Sequence, residues 1–181
     1  MLYLALLTLT LAPSQFLDSE VSNTIRDYLS RLNLSPTRYT TAVTDQVPEG
    51  AALEHWVDAS GRDRASFLFD RQFLLQLSSP ERRVVIAHEV GHLVPECRLL
   101  RRRINQEICA DLISLQLVPV DDVVALLTKA VAMFRSSSEQ RAFTYRLERI
   151  KENWIPRRKA ALKTPRLRRL PIRRFQQRYC G

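Results

Sequence analysis

Apolar residues recur with two different periods along the chain, and the changes between them outline the predicted elements. A three-to-four-residue period over 18–32 predicts an amphipathic helix. Alternating apolar and polar residues predict three strands, over 38–44, 52–58 and 64–70. The last two of these form a hairpin around Ser60 and Gly61. Helical spacing then returns in four segments: 80–93, 104–118, 120–134 and 138–153. This order predicts an α+β fold with a small sheet followed by helices.

The predicted helix over 80–93 has clear start and stop signals. Ser78 suits the N-cap, Pro80 the first turn, and Glu81 the positive end of the helix dipole. Pro95 ends the apolar pattern. Gly91 lowers helix propensity by about 1 kcal/mol relative to alanine. We therefore expect a second backbone to pass close to Gly91.

This helix carries His88-Glu89-Val90-Gly91-His92, which has the HExxH spacing of zinc peptidases. Residues four apart lie on one helix face, so His88 and His92 can reach one metal ion. Glu89 would lie beside that ion and accept a proton from its bound water, whose pKa zinc lowers to about 7. The motif predicts Zn²⁺ as cofactor, with Glu89 as the catalytic base.

A catalytic zinc site needs a third protein ligand. No histidine follows His92, and position 98, where one other zinc-peptidase pattern places its third histidine, holds Arg98. Glu107 is the best remaining candidate, and Asp111 lies one helical turn beyond it, where it can hydrogen-bond a ligand imidazole. Glu96 competes, but it follows a helix-breaking proline. We therefore predict His88, His92 and Glu107 as metal ligands, supported by Asp111.

His88-Glu89-x-x-His92 followed by Glu107-x-x-x-Asp111 resembles the gluzincin zinc metallopeptidases. Two groups are similar over roughly residues 64–150: the HtpX-like and CAAX-protease-like enzymes, and the ImmA/IrrE-type enzymes, which often have the equivalent of Leu117-Val118-Pro119. The resemblance implies a compact gluzincin-like core and a peptide or protein substrate. In the ImmA/IrrE type that substrate is a repressor.

Three further site assignments each have a structural alternative. The strand segment Ser66–Phe69 could form a sheet edge that accepts an extended peptide, or be an ordinary buried strand. His55 could stabilise an oxyanion, or be simply a strand residue. The resemblance suggests a transition-state donor at Tyr145 or Arg146, although most arginines on that helix would be solvated.

Length and cysteine content favour one domain without a disulfide framework. A chain of 181 residues, 45% hydrophobic, can form a single sizeable core, which we assign to residues 18–155. Three cysteines are an odd and sparse set. We expect Cys109 to be a small buried apolar residue in preference to a zinc ligand.

The two ends differ in character from this domain. Residues 1–17 begin with an uncharged apolar run that is too short for a bilayer span and lacks a signal-peptide cleavage pattern, so we favour packing on the core or on a partner. Residues 156–181 contain ten Lys or Arg and no acid, which leaves −1 of the +9 net charge for the rest. Residues 157–178 therefore suit an anionic membrane surface or nucleic acid, unless the tail is only solvated.

These features predict a zinc-dependent metalloendopeptidase, cytoplasmic or membrane-associated in preference to secreted. The alternatives are a regulatory ImmA/IrrE-type protease and a non-catalytic zinc-containing binding protein that uses the basic tail. A structural zinc site would have a fourth protein ligand, whereas a catalytic site leaves that position open.

Overall fold

The computed structural model describes residues 13–35, 38–47, 50–133 and 136–161, with side chains described between residues 16 and 152. These ranges contain seven helices and one three-stranded sheet. The elements in chain order are α1 (Pro13–Arg31), β1 (Tyr39–Thr44), β2 (Ala51–Val57), β3 (Asp63–Asp70), α2 (Arg71–Leu75), α3 (Ser79–His92), α4 (Pro95–Arg98), α5 (Arg103–Ser114), α6 (Val120–Met133) and α7 (Ser137–Ala161). The predicted α+β fold class is confirmed.

The sheet has strand order β1-β3-β2, with β1 parallel and β2 antiparallel to β3. The predicted hairpin is therefore present. Of the two alternatives for Ser66–Phe69, the sheet edge is excluded, because β3 is paired on both sides. The segment belongs to a central strand with alternating burial. β2 is an outer strand, and its last four residues are exposed. His55 belongs to this exposed part, with its Nε2 atom 3.7 Å from the Asp63 carboxylate.

Burial follows the predicted periods. The stripe of α1 packs into the main core through Val21, Ile25 and Leu29. In β3, every second residue is buried, including Phe67 and Phe69. α3 packs against α1, α5, α6 and β2, so the helix with the histidine pair lies between the sheet and the later helices. Burial of apolar surface at about 25 cal/mol per Å² stabilises this arrangement.

A disulfide joins Cys97 on α4 to Cys109 on α5, a bridge that the expectation of no disulfide framework did not anticipate. Both residues are buried, as expected for Cys109, in a second apolar cluster with Val94, Leu100 and Ile113. The two cysteines are only 12 positions apart in sequence. The turn from α4 into α5 brings them together, and this turn cannot be inferred from a cysteine count.

The terminal helices extend beyond their predicted limits. α1 begins at Pro13, before the predicted start at 18, and α7 continues to Ala161, past the predicted end at 153. α7 includes Pro156, which removes one helical hydrogen bond without ending the helix. Residues 1–12 and 162–181, which include most of the predicted tail and its proposed contacts, lie outside the described residues. No helix in the described ranges is both long and apolar enough to cross a membrane.

Candidate metal centre

Two local features fix the position of α3. Ser78 and Glu81 form a capping box, in which the Ser78 amide donates to the Glu81 carboxylate at 2.7 Å. Gly91 faces α5, and a Cβ atom placed there would lie 2.7 Å from the carbonyl oxygen of Ala110 and 2.8 Å from its Cα. The expected close approach of a second backbone is therefore present. The absence of a side chain at Gly91 lets α5 cross α3 next to the histidine pair.

At this crossing, His88, His92 and Glu107 direct one potential ligand atom each toward a common point. The two Nε2 atoms are 3.1 Å apart, and the Glu107 oxygens lie 3.2 Å from His88 Nε2 and 3.7 Å from His92 Nε2. Tetrahedral zinc with bonds of about 2.0–2.1 Å needs ligand atoms about 3.3–3.4 Å apart. Lone pairs facing one another at such distances repel unless a cation or a proton lies among them. The donor set therefore fits a zinc ion.

Asp111 occupies the position predicted for a residue that orients a ligand. Its Oδ1 atom accepts a hydrogen bond from His88 Nδ1 at 2.8 Å, and its side chain is only 4% exposed. In neutral His88 this bond places the proton on Nδ1, so the Nε2 atom that faces Glu107 and His92 has the free lone pair that a metal ion needs.

Arg146, on α7, joins the two carboxylates of α5. Its guanidinium donates to both oxygens of Asp111, at 2.7 and 2.8 Å, and lies 3.3 Å from Glu107 Oε2. It also stacks over Phe143, 4.9 Å from the ring centroid. Arg146 is thus buried against the acids that support the metal centre. Tyr145, the neighbouring candidate for a transition-state donor, is 42% exposed.

The two histidines have very different pKa values, because their electrostatic surroundings differ. Burial alone would lower the pKa of His88, but the Asp111 and Glu107 carboxylates outweigh it and raise this pKa to about 9. Burial and the nearby charge of His88 lower the pKa of His92 to about 4. In the metal-free protein the pair therefore carries a single positive charge near neutral pH, and that charge is on His88.

The two carboxylates of α5 are held in their charged form. Burial opposes ionisation of Glu107, but His88 and Arg146 lower its pKa to about 2. Burial also opposes ionisation of Asp111, and Arg146 and His88 hold its pKa below the ordinary range. Both acids are therefore ready to accept hydrogen bonds or a metal at neutral pH.

The remaining candidates lie in different places. Glu89 is buried on α3 next to His88. Burial alone would lower the pKa of Arg146, but the charges of the nearby acids, Asp111 first and Glu89 among them, outweigh it and raise this pKa. Glu96 is partly buried on α4 and does not belong to the converging group. Cys109 is bonded to Cys97, so it has no thiolate to offer a metal.

The link between Arg146 and the acids of α5 was not predicted from the sequence, although the sequence contains a signal for it. Arg146 falls within the inward stripe of α7, with Phe143 and Leu147 beside it and Ile150 one turn on. An arginine at a core position usually pairs with buried acids, because an unpaired buried charge is very unfavourable. The stripe could have shown that Arg146 is buried, but not which acids it meets.

No protein-family model, curated protein or solved structure matches this chain. The interpretation of the site therefore depends on its own residues. Those residues are two imidazoles and a carboxylate that converge on one point, with a second carboxylate and a guanidinium packed behind them.

Proposed function

We propose that this chain is a zinc-dependent metalloendopeptidase with a gluzincin-type core. The observation that supports it most directly is the convergence of His88, His92 and Glu107 without a fourth His, Cys, Asp or Glu ligand among the described residues. Structural zinc sites usually have four protein ligands, whereas catalytic sites have three and leave one position for water or substrate. The three-ligand set therefore favours catalysis over a purely structural site.

Each residue of the site has a role in this proposal. Zinc, when bound, supplies a Lewis acid that activates water and polarises a peptide carbonyl. Glu89 accepts the proton of the attacking water and then delivers it to the leaving amine. Asp111 keeps His88 in the tautomer whose Nε2 is a ligand. Arg146 holds Asp111 in the orientation that this hydrogen bond requires.

The regulatory ImmA/IrrE-type protease differs from this proposal only in its substrate, a repressor. A non-catalytic zinc protein is the alternative of another class. It shares the ligands and the folded structure, so zinc content alone cannot separate it from an enzyme. The difference lies in Glu89, which a binding protein would not need.

The test is Glu89→Gln, with Glu96→Gln as the matched control on the neighbouring short helix. Zinc content is measured by atomic emission, and endopeptidase activity on casein and on a fluorogenic peptide library. We expect all three proteins to bind zinc and Glu89→Gln to lose about 10²–10⁴-fold in rate. Equal rates in the wild type and Glu89→Gln would contradict the catalytic role. A zinc-loaded wild type that cleaves no substrate would favour the binding protein.

A further inference from the structure

The turn between the two halves of the metal centre has an unusual surface. Residues 98–103, here called the arginine loop, have the sequence Arg-Leu-Leu-Arg-Arg-Arg and lie between ligands His92 and Glu107. All four arginines are exposed. No acidic residue occurs from 97 to 106, so the loop has a local charge of +4.

Buried contacts on its inner side fix the shape of the arginine loop. Leu100 is 3% exposed and packs with Cys97, whose disulfide to Cys109 ties the loop to α5. The Gln106 side chain donates to the Leu100 carbonyl oxygen at 2.8 Å. Leu99 points the other way and, at 76%, is the most exposed of the large hydrophobic residues in the described part of the chain. The loop thus presents an exposed apolar residue that is flanked in sequence by exposed arginines.

Three of the four arginines of this loop differ from most other arginines in the described part of the chain. Arg64, Arg71 and Arg82 each form an ion pair with an acid. For Arg98, Arg101 and Arg102, no carboxylate of the described residues lies within ion-pair distance. Like charges held on one short turn repel each other. Attraction to an anionic partner would outweigh this repulsion and make the total electrostatic energy of the loop favourable.

We infer that the arginine loop docks on an anionic membrane surface. Leu99 suits insertion at the boundary between headgroups and acyl chains, and the flanking guanidiniums suit lipid phosphates. Nucleic acid fits less well, because single-strand recognition uses aromatic stacking and the loop has no aromatic residue. The inference depends neither on the proposed peptidase activity nor on the basic tail.

Vesicle binding by the full chain tests the charge. Arg98→Gln/Arg101→Gln/Arg102→Gln is compared with a control of equal charge change on exposed positions elsewhere, Arg26→Gln/Arg83→Gln/Arg141→Gln. Partitioning is measured on phosphatidylcholine vesicles containing about one third phosphatidylserine, at low and high salt. We expect the loop variant to bind about 10–100-fold more weakly at low salt, with the control much closer to wild type. Equal losses in both variants would overturn the inference.

A fluorescence experiment tests insertion of the apolar residue. Leu99→Trp is compared with Leu75→Trp, which replaces another exposed leucine on α2. With the same vesicles, the Leu99→Trp emission should shift to the blue and be quenched by lipids brominated in the acyl chain, whereas Leu75→Trp should not respond. A Leu99→Trp signal identical to that of the control would contradict membrane docking.

Two other ligands complete the test. A duplex DNA oligonucleotide and a polyglutamate peptide are titrated into the same two triple variants. Loss of DNA or polyglutamate binding in the loop variant, with vesicle binding unchanged, would replace the membrane by that ligand class. Circular dichroism and zinc content of each variant establish that folding and the metal centre are intact.

Discussion

The structure contains two pairs of residues at the same helical spacing, and they have different roles. On α3, His88 and His92 both direct Nε2 toward the metal point. On α5, Glu107 faces that point, whereas Asp111 faces His88 Nδ1 and Arg146. Spacing alone assigns each pair to one helix face. It does not decide that both residues of one pair, but only one residue of the other, face the candidate metal position.

The different roles of Glu107 and Asp111 arise from α7, a helix distant in sequence that supplies Arg146. Arg146 binds both oxygens of Asp111, so this carboxylate is fully engaged, while Glu107 keeps an oxygen directed at the histidines. A third helix thus distinguishes two carboxylates at equivalent positions: Glu107 is left as a candidate metal ligand, and Asp111 supports His88. The following experiments test that division of roles.

Removing Arg146 should have the largest effect. Arg146→Met leaves the buried Asp111 carboxylate without its bidentate partner, and breaking a buried ion pair typically costs about 3–5 kcal/mol. We expect that loss in the free energy of unfolding of the metal-free protein, measured by urea denaturation. Arg141→Met, on the exposed start of α7, should change it by less than about 0.5 kcal/mol. Equal stability of the two variants would show that Arg146 does not hold the acids in place.

The two acids of α5 should separate in zinc affinity. Asp111→Ala removes only the support of His88 and should weaken zinc about 10–100-fold. Glu107→Ala removes a ligand and should weaken zinc more than that. Competition with a chromogenic chelator measures both, and Glu96→Ala is the control that should bind as wild type does. A Glu107→Ala protein with normal affinity would exclude Glu107 as third ligand.

Substitution of Gly91 tests the crossing that brings the two pairs together. In Gly91→Ala the new Cβ would meet backbone atoms of Ala110 at 2.7–2.8 Å, so α5 has to move. We expect a net loss of about 2 kcal/mol in stability, since overpacking outweighs the gain in helix propensity. Thermal unfolding measures the stability, and chelator competition should show weaker zinc binding because Glu107 moves with α5. A stabilised variant would mean that the helices are farther apart.

The pH dependence of zinc affinity should reveal the proton on His88. The raised pKa, about 9, means that zinc displaces a proton at every pH below that value. Affinity should therefore rise about tenfold per pH unit from about 7 to about 8.5, an energy of about 1.4 kcal/mol per unit. With an ordinary pKa of 6.5 the affinity would level off above neutrality. Asp111→Asn, which removes the charge that raises this pKa, should show that plateau.

Local sequence predicted the parts of the molecule that depend on near neighbours. The helix start at Ser78, the hairpin joining β2 and β3, and the need for close packing at Gly91 each follow from a few adjacent residues. The i, i+4 spacing placed His88 with His92, and Glu107 with Asp111. The structure brings all four to one site.

The features that were missed depend on contacts between distant segments. β3 is central because β1, which precedes the hairpin, pairs with its free edge in parallel, and no local pattern encodes that choice. Cys97 meets Cys109 only because the chain reverses between α4 and α5. Arg146 meets Asp111 only because α7 packs on α5.

The disulfide also changes how far apart the candidate metal ligands are along the covalent chain. In the oxidised protein, the shortest covalent path from His92 to Glu107 crosses the bridge from Cys97 to Cys109, which roughly halves the number of residues between them. Halving a closed loop lowers its entropic cost by only about 0.6 kcal/mol. The same bridge restricts the unfolded chain by about 3 kcal/mol. Reduction of the disulfide should therefore lower the thermal stability of the protein much more than it weakens metal binding.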